Sequence, residues 1–165
     1  MHLLTRDQFA QLSGTDLEAL KTLRRRDQVP AVPVPAMGDA YTPFSAFLMG
    51  IANEFANEQG IARSVAAEHA SRGFVIDQRW ADVAASSEDL RCGRKVASEI
   101  FFAVIELPGA KKPRVVAVCG TLAEIVTAHP NPLRMALANV TRAAAKMRKR
   151  AAQHNIDVGK FWGAA

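Results

Sequence analysis

Ser13-Gly14-Thr15 is the stretch that most constrains what this chain can fold into. Ahead of it, Thr5 stands three residues before Gln8; at its end, Thr15 stands three residues before Glu18. A Thr followed at that distance by Gln or Glu is a capping box. Its hydroxyl accepts a free amide of the first helical turn, and the longer side chain returns to the Thr amide. Two such starts with a Gly between them predict two short helices and a tight turn, since Gly takes a positive φ without steric cost. The first helix is expected from Arg6 to Leu12, burying Phe9, Ala10 and Leu12. The second is expected over 15–26, where Leu17, Leu20 and Leu23 recur every third residue along one side. Its closing arginines suit the negative end of the helix dipole.

Beyond it, "VPAVPVPAMGDAYTP" (29–43) carries prolines at 30, 33, 35 and 43. They exclude a helix and leave an extended edge or a loop, with Gly38-Asp39 as the tip of a short hairpin, a wing. A third helix should start after Pro43, with Phe44, Phe47, Leu48, Ile51 and Phe55 on one face. Residues 60–74 support one more, and 76–94 read as a polar connector holding one or two helical turns. A second unit should begin near Lys95. Its runs "EIFFAVIEL" (99–107) and "RVVAVC" (114–119) are β-branched and aromatic, and "PGAKKP" between them makes a hairpin. Thr121 with Glu124 is a third capping box, for a short helix to about Ala128. After "HPNP", Leu133, Leu137, Val140, Ala144, Met147 and Ala151 alternate in steps of four and three, which favours one long helix with a coiled-coil-like seam. The rival reading is a strand over 134–140 followed by a shorter helix capped by Thr141.

With 165 residues, 49% of them hydrophobic and 22% charged, the chain fits one compact domain or two small ones and is too apolar for general disorder. The formal charge of +5 permits a polyanionic partner without requiring one. Arg6 and Asp7 interrupt the N-terminus before an apolar run develops, so no secretory signal is expected, and a reducing cytoplasm is the expected location. Cys92 and Cys119 give no ligand spacing, and the four histidines have no metal-binding spacing, so no metal or cofactor is expected.

Helix, Gly turn and basic helix form the helix-turn-helix arrangement, in which the second helix enters the major groove of duplex DNA. On helix 15–26 the leucines occupy one face. Asp16, Lys21, Thr22, Arg24 and Arg25 are left outward or lateral, and arginine suits guanine edges and phosphate alike because its planar fork donates two hydrogen bonds at once. The competing reading is a surface helix with a solvated basic end. The order of elements also resembles the N-terminal winged helix of MerR-type (mercury-resistance regulator-like) transcription factors, with their "LA..SG....LR...R...P" pattern. Phe9-Ala10, Ser13-Gly14, Leu20-Lys21, Arg25 and Val29-Pro30 occupy the matching places, and Tyr41-Thr42-Pro43 opens the next helix. Thr22-Leu23 stands where that family has an aromatic pair, Asp27 where it has a helix-closing Gly, and Gly38-Asp39-Ala40 where its wing carries an Arg. The resemblance implies duplex DNA as partner, a homodimer, and DNA contacts from Arg6, Thr15, Asp16, Lys21, Thr22, Arg24, Arg25 and Tyr41.

The expected fold class is α+β. A winged helix-turn-helix over 1–58 is followed by a helical connector over 59–94, then by an α+β unit over 95–165 with a hairpin and a C-terminal helix. That last unit is the dimerisation or effector-sensing part, with Leu133, Leu137, Val140, Ala144 and Met147 as the dimer stripe. The basic run "RAAAKMRKR" (142–150) is either a phosphate-facing helix or, as its apolar seam favours, a solvated helix face. Cys119 at a strand-to-helix junction is read as a buried structural thiol, since no local motif supplies a base. Nothing in the chain argues for an enzyme. Two alternatives to a DNA-binding regulator remain at this stage. One is a winged-helix protein-interaction module without DNA, the other an excisionase-like DNA-bending factor; a Cys119 hydrolase is a third and weaker one.

Overall fold

The computed structural model describes residues 3–30, 41–109 and 111–158. It is a mixed α+β structure, as the sequence leads one to expect, and its packing separates two compact units. One is formed within Met1–Ser71 and Lys146–Ala165, the other by Arg72–Ala145. The expected wing tip at Gly38-Asp39 lies outside the described residues.

In the first unit, α1 spans Arg6–Ser13 and is opened by the Thr5–Gln8 capping box. Gly14 then takes φ 69°, ψ 32°, the left-handed conformation, and its amide and that of Thr15 close the last turn of α1. The second helix, α2, spans Leu17–Arg25 and is shorter than the periodicity implies. Its N-cap is Asp16, not Thr15: the Asp16 carboxylate accepts from the amides of Glu18 and Ala19 at 2.9 and 3.1 Å. Thr15 is taken elsewhere, its hydroxyl accepting from Ser13 Oγ at 3.1 Å and from Asn53 Nδ2 at 3.0 Å. At the far end Asp27 adopts φ 50°, while Asp27 N donates to Arg24 O and Gln28 N to Leu23 O. This is the paired closure usually given to Gly, made here by an Asp, a residue that tolerates the left-handed region.

Leu4 and Tyr41 form an isolated antiparallel bridge. The next helix, α3, spans Pro43–Glu58, with Pro43 in its first turn and a Thr42–Ser45 capping box that the sequence reading missed. As expected, Phe47, Leu48, Ile51 and Phe55 are buried, together with Phe9, Leu12 and Leu20 from the first two helices. Helix α4, Arg63–Ala70, lays Ala66, Ala67 and Ala70 against α3; it belongs to this unit and not to a connector.

In the second unit the segment read as a connector is more helical than its polarity suggests. A 3-10 segment over Gly73–Arg79 runs into α5, Trp80–Arg91. Ile76 and Val83 supply its buried side. The hairpin forms as expected: β1 (Ile100–Leu107) pairs antiparallel with β2 (Arg114–Thr121), from Ile100 opposite Thr121 to Leu107 opposite Arg114. The third capping box forms too, and α6 spans Leu122–Ala128.

The expected long helix over 133–151 does not form. Arg134–Asn139 is a strand, β3, antiparallel to β1, and the helix α7 begins only at Val140 and ends at Gln153. The sheet order is β2-β1-β3, which puts β1 in the centre. A central strand is paired along both edges, and within the apolar run "FFAVI" Phe102, Ala103, Val104 and Ile105 are all buried. The rival reading had the strand right and the cap wrong. Asn139 caps α7, its Oδ1 accepting from Arg142 N at 2.9 Å. Thr141, fully buried, accepts instead from Ile100 N at 2.8 Å.

Candidate nucleic-acid interface

The amphipathic pattern of α2 turns Leu20 completely inward, which leaves its cations on the outer side beside the start of α1. Arg6, Leu20, Lys21, Arg24 and Arg25 line one open cleft there. Four cations thus surround a small apolar floor. Arg6 and Arg25 are exposed and make no ion pair with any described residue, while Lys21 is held by Glu18 one turn earlier at 2.5 Å. Arg24 is oriented: its Nη1 donates to the Tyr41 hydroxyl at 2.6 Å, and its guanidinium lies over the Tyr41 ring, 5.6 Å from the centroid. Tyr41 in turn packs on the buried Phe9 ring at 4.5 Å. A chain of aromatic contacts therefore runs from the core to one cation of the cleft and restricts its rotamers.

The other expected contact residues divide. Thr22 is exposed, but its hydroxyl donates to Glu18 O at 3.2 Å. Asp16 caps α2 through Oδ2, and the Thr15 hydroxyl is held in the turn by Ser13 and Asn53, so both support the geometry of the helix pair.

That support includes residues the sequence reading missed. Asn53 of α3 donates from Nδ2 to Ser13 O at 3.3 Å as well as to Thr15. Arg63 of α4 donates to Asn53 Oδ1 at 2.6 Å and to Asn57 Oδ1 at 2.6 Å. Arg150 of α7 donates to Leu12 O at 3.2 Å. No local motif announces Asn53 or Arg150, because their partners lie 38, 40 and 138 residues away along the chain, and Arg63 joins them only through Asn53 and Asn57, 10 and 6 residues before it.

The basic run 142–150 largely serves the fold. Arg142 pairs with Glu99 at 2.9 Å, and Lys146 pairs with the buried Glu54 at 2.8 Å and with Glu58 at 3.4 Å. The Glu54 hydrogen bond raises the Lys146 pKa above the usual lysine value. Arg150 has its pKa lowered by burial, with Glu54 acting the other way. The proposed dimer stripe is not one stripe. Leu133 is 55% exposed ahead of β3, Leu137 lies in β3, and Val140, Ala144 and Met147 are buried on α7.

Burial pushes the Cys119 thiol up to about 12, and the charged groups acting on it are Arg79, Asp82 and Glu124, with no imidazole among them. Arg79 is already paired with Glu124. This environment favours the inert thiol over a thiolate nucleophile. Among the described residues no cluster of His, Cys, Asp and Glu is suited to a metal ion, and no helix is long and apolar enough to cross a membrane. A scan against protein-family models matches none, and a search of curated proteins finds no match.

Proposed function

We propose that this chain is a duplex DNA-binding regulator of MerR-like winged-helix type, acting as a homodimer, with α2 as the helix presented to the major groove. One observation carries the reading: Arg6, Lys21, Arg24 and Arg25 converge on one open cleft of a helix, Gly turn and helix. A polyanion would relieve the mutual repulsion of these cations while releasing its own counterions. Arg25 is the base-edge candidate, since its fork is exposed and uncommitted. Arg24, held on Tyr41, is placed for a phosphate oxygen.

Duplex affinity should fall steeply with salt, with a log–log slope of about −0.9 per phosphate neutralised. Arg25→Ala should cost about 1–3 kcal/mol and relax preference at one base pair, while Lys149→Ala should leave preference unchanged. Mobility shift against a random duplex library at two salt concentrations tests both. Binding that is absent or salt-independent removes the DNA reading and favours a protein-interaction module built on the same helices.

The homodimer needs a surface other than the stripe expected over 133–147. We assign it to the sheet face where Phe101, Leu107, Val116, Val118, Met135 and Leu137 surround Ala103, Ile105 and Ile125, because these six apolar side chains are only partly covered. Two half-sites along a duplex then give the specificity that a single module lacks.

A further inference from the structure

We infer that Arg150 and Asn53 are positioning residues that hold the α1–α2 turn from two sides, so that residues 146–158 belong to the nucleic-acid-binding unit. A turn made of a Gly and two polar residues has few apolar contacts to fix it. Here the carbonyls at the end of α1 are taken one by one: Leu12 O by Arg150 Nη1, Ser13 O by Asn53 Nδ2. Thr15 Oγ1 accepts from Asn53 as well. Arg63 braces Asn53 through its Oδ1, which orients the amide so that Nδ2 faces the turn.

The Arg150 guanidinium lies so close to Gly14 that a Cβ there would overlap it. Its charge sits at the C-terminus of α1, where the helix dipole favours a cation. Arg150 is half-buried and its pKa is lowered by that burial. A cation taken partly out of water to face a turn is there for the turn's carbonyl. Lys146, one helical turn earlier on α7, holds the same stretch of helix to α3 through Glu54.

The turn sets the angle at which α2 leaves α1, and with it where Arg24 and Arg25 stand. The effect on duplex binding rests on the function proposed above, but the clamp itself does not. The full-length chain is therefore compared with Arg150→Met, Arg150→Lys and Asn53→Ala by amide exchange and by duplex affinity over a salt series. Arg150→Met should speed exchange of the Gly14 and Thr15 amides about tenfold or more, as expected for a lost charged hydrogen bond, with α3 amides little changed. Arg150→Lys, which keeps the charge and one donor, should recover most of that protection.

Duplex affinity of Arg150→Met should drop about tenfold with an unchanged salt slope, since Arg150 neutralises no phosphate. A slope reduced by about one unit would mean direct phosphate contact and overturn the positioning role. Unchanged exchange at Gly14 and Thr15 overturns the clamp. If the unaltered chain binds no duplex, the proposed function falls, and the exchange data alone decide the clamp.

Discussion

At the residue scale, two left-handed positions bracket α2 and were filled differently. Gly14 takes φ 69° at no cost, whereas Asp27 holds φ 50° with a Cβ. Asp27→Gly should accordingly stabilise the chain by about 0.5–1 kcal/mol, read as a rise in the denaturation midpoint at constant slope. Gly14→Ala should destabilise by about 1–2 kcal/mol from the backbone alone, and by more because the new Cβ meets Arg150. The two cysteines differ in the same local way. Cys92 is exposed, and Cys119 is half-buried with its thiol pushed up to about 12. At pH 8 iodoacetamide should label Cys92 rapidly and leave Cys119 unlabelled until the chain is unfolded, as mass spectrometry after a short pulse would show. Equal labelling of both would reopen the nucleophile reading of Cys119.

At the scale of elements, α6 and the β3–α7 junction show how caps decide boundaries. Glu124 completes the capping box of α6 and also pairs with Arg79, and that pairing comes first in holding its carboxyl at about 2. Because the folded pKa lies below the unfolded one, its contribution is present above about pH 4.5 and is lost as the pH falls through about 2. Melting temperatures of the chain and of Glu124→Gln should therefore differ at neutral pH and converge as the pH approaches 2. A gap that persists to pH 2 would locate the effect in packing instead. At the other junction, Thr141→Val removes the acceptor of the buried Ile100 amide while keeping the shape, and should cost about 1–3 kcal/mol in denaturant unfolding. Were Thr141 an ordinary N-cap, α7 would fray and the sheet would not notice. The expected outcome is the reverse, with β1 amides losing protection.

For the whole molecule, the sheet face assigned to the dimer makes a prediction that the helical stripe does not. Leu137→Lys lies in β3 on the partly covered face, so it should give a folded monomer by sedimentation, with weakened binding to a palindromic duplex. Met147→Lys, a substitution at a fully packed site, should instead unfold the chain or a large part of it. If Leu137→Lys leaves the sedimentation coefficient unchanged from an intact chain already monomeric at micromolar concentration, the dimer reading fails.

Signals that act over three or four residues were legible without any structure. The capping boxes at Thr5 and Thr121, the Gly14 turn, the apolar face of α3 and the hairpin are all of this kind, because cap and partner lie on the same helical turn or across one short loop. So were the candidate cations of α2, since the spacing of Leu20 and its neighbours already says which side faces out. What the sequence alone left open was decided by partners distant along the chain. Residues 134–139 fit a helical period, which the spacing favours, and an extended run as well, and became a strand because β1 offers a row of unpaired amides and carbonyls on that edge. Thr15 has the spacing of a cap, but Asn53 and Ser13 take its hydroxyl, and Asp16 caps instead. Arg150 reads as a surface cation until Leu12 O and Gly14 are brought beside it. Local hydrogen bonds are encoded by spacing, whereas long-range ones depend on which surfaces folding brings together, and the support of the candidate interface is made of the second kind.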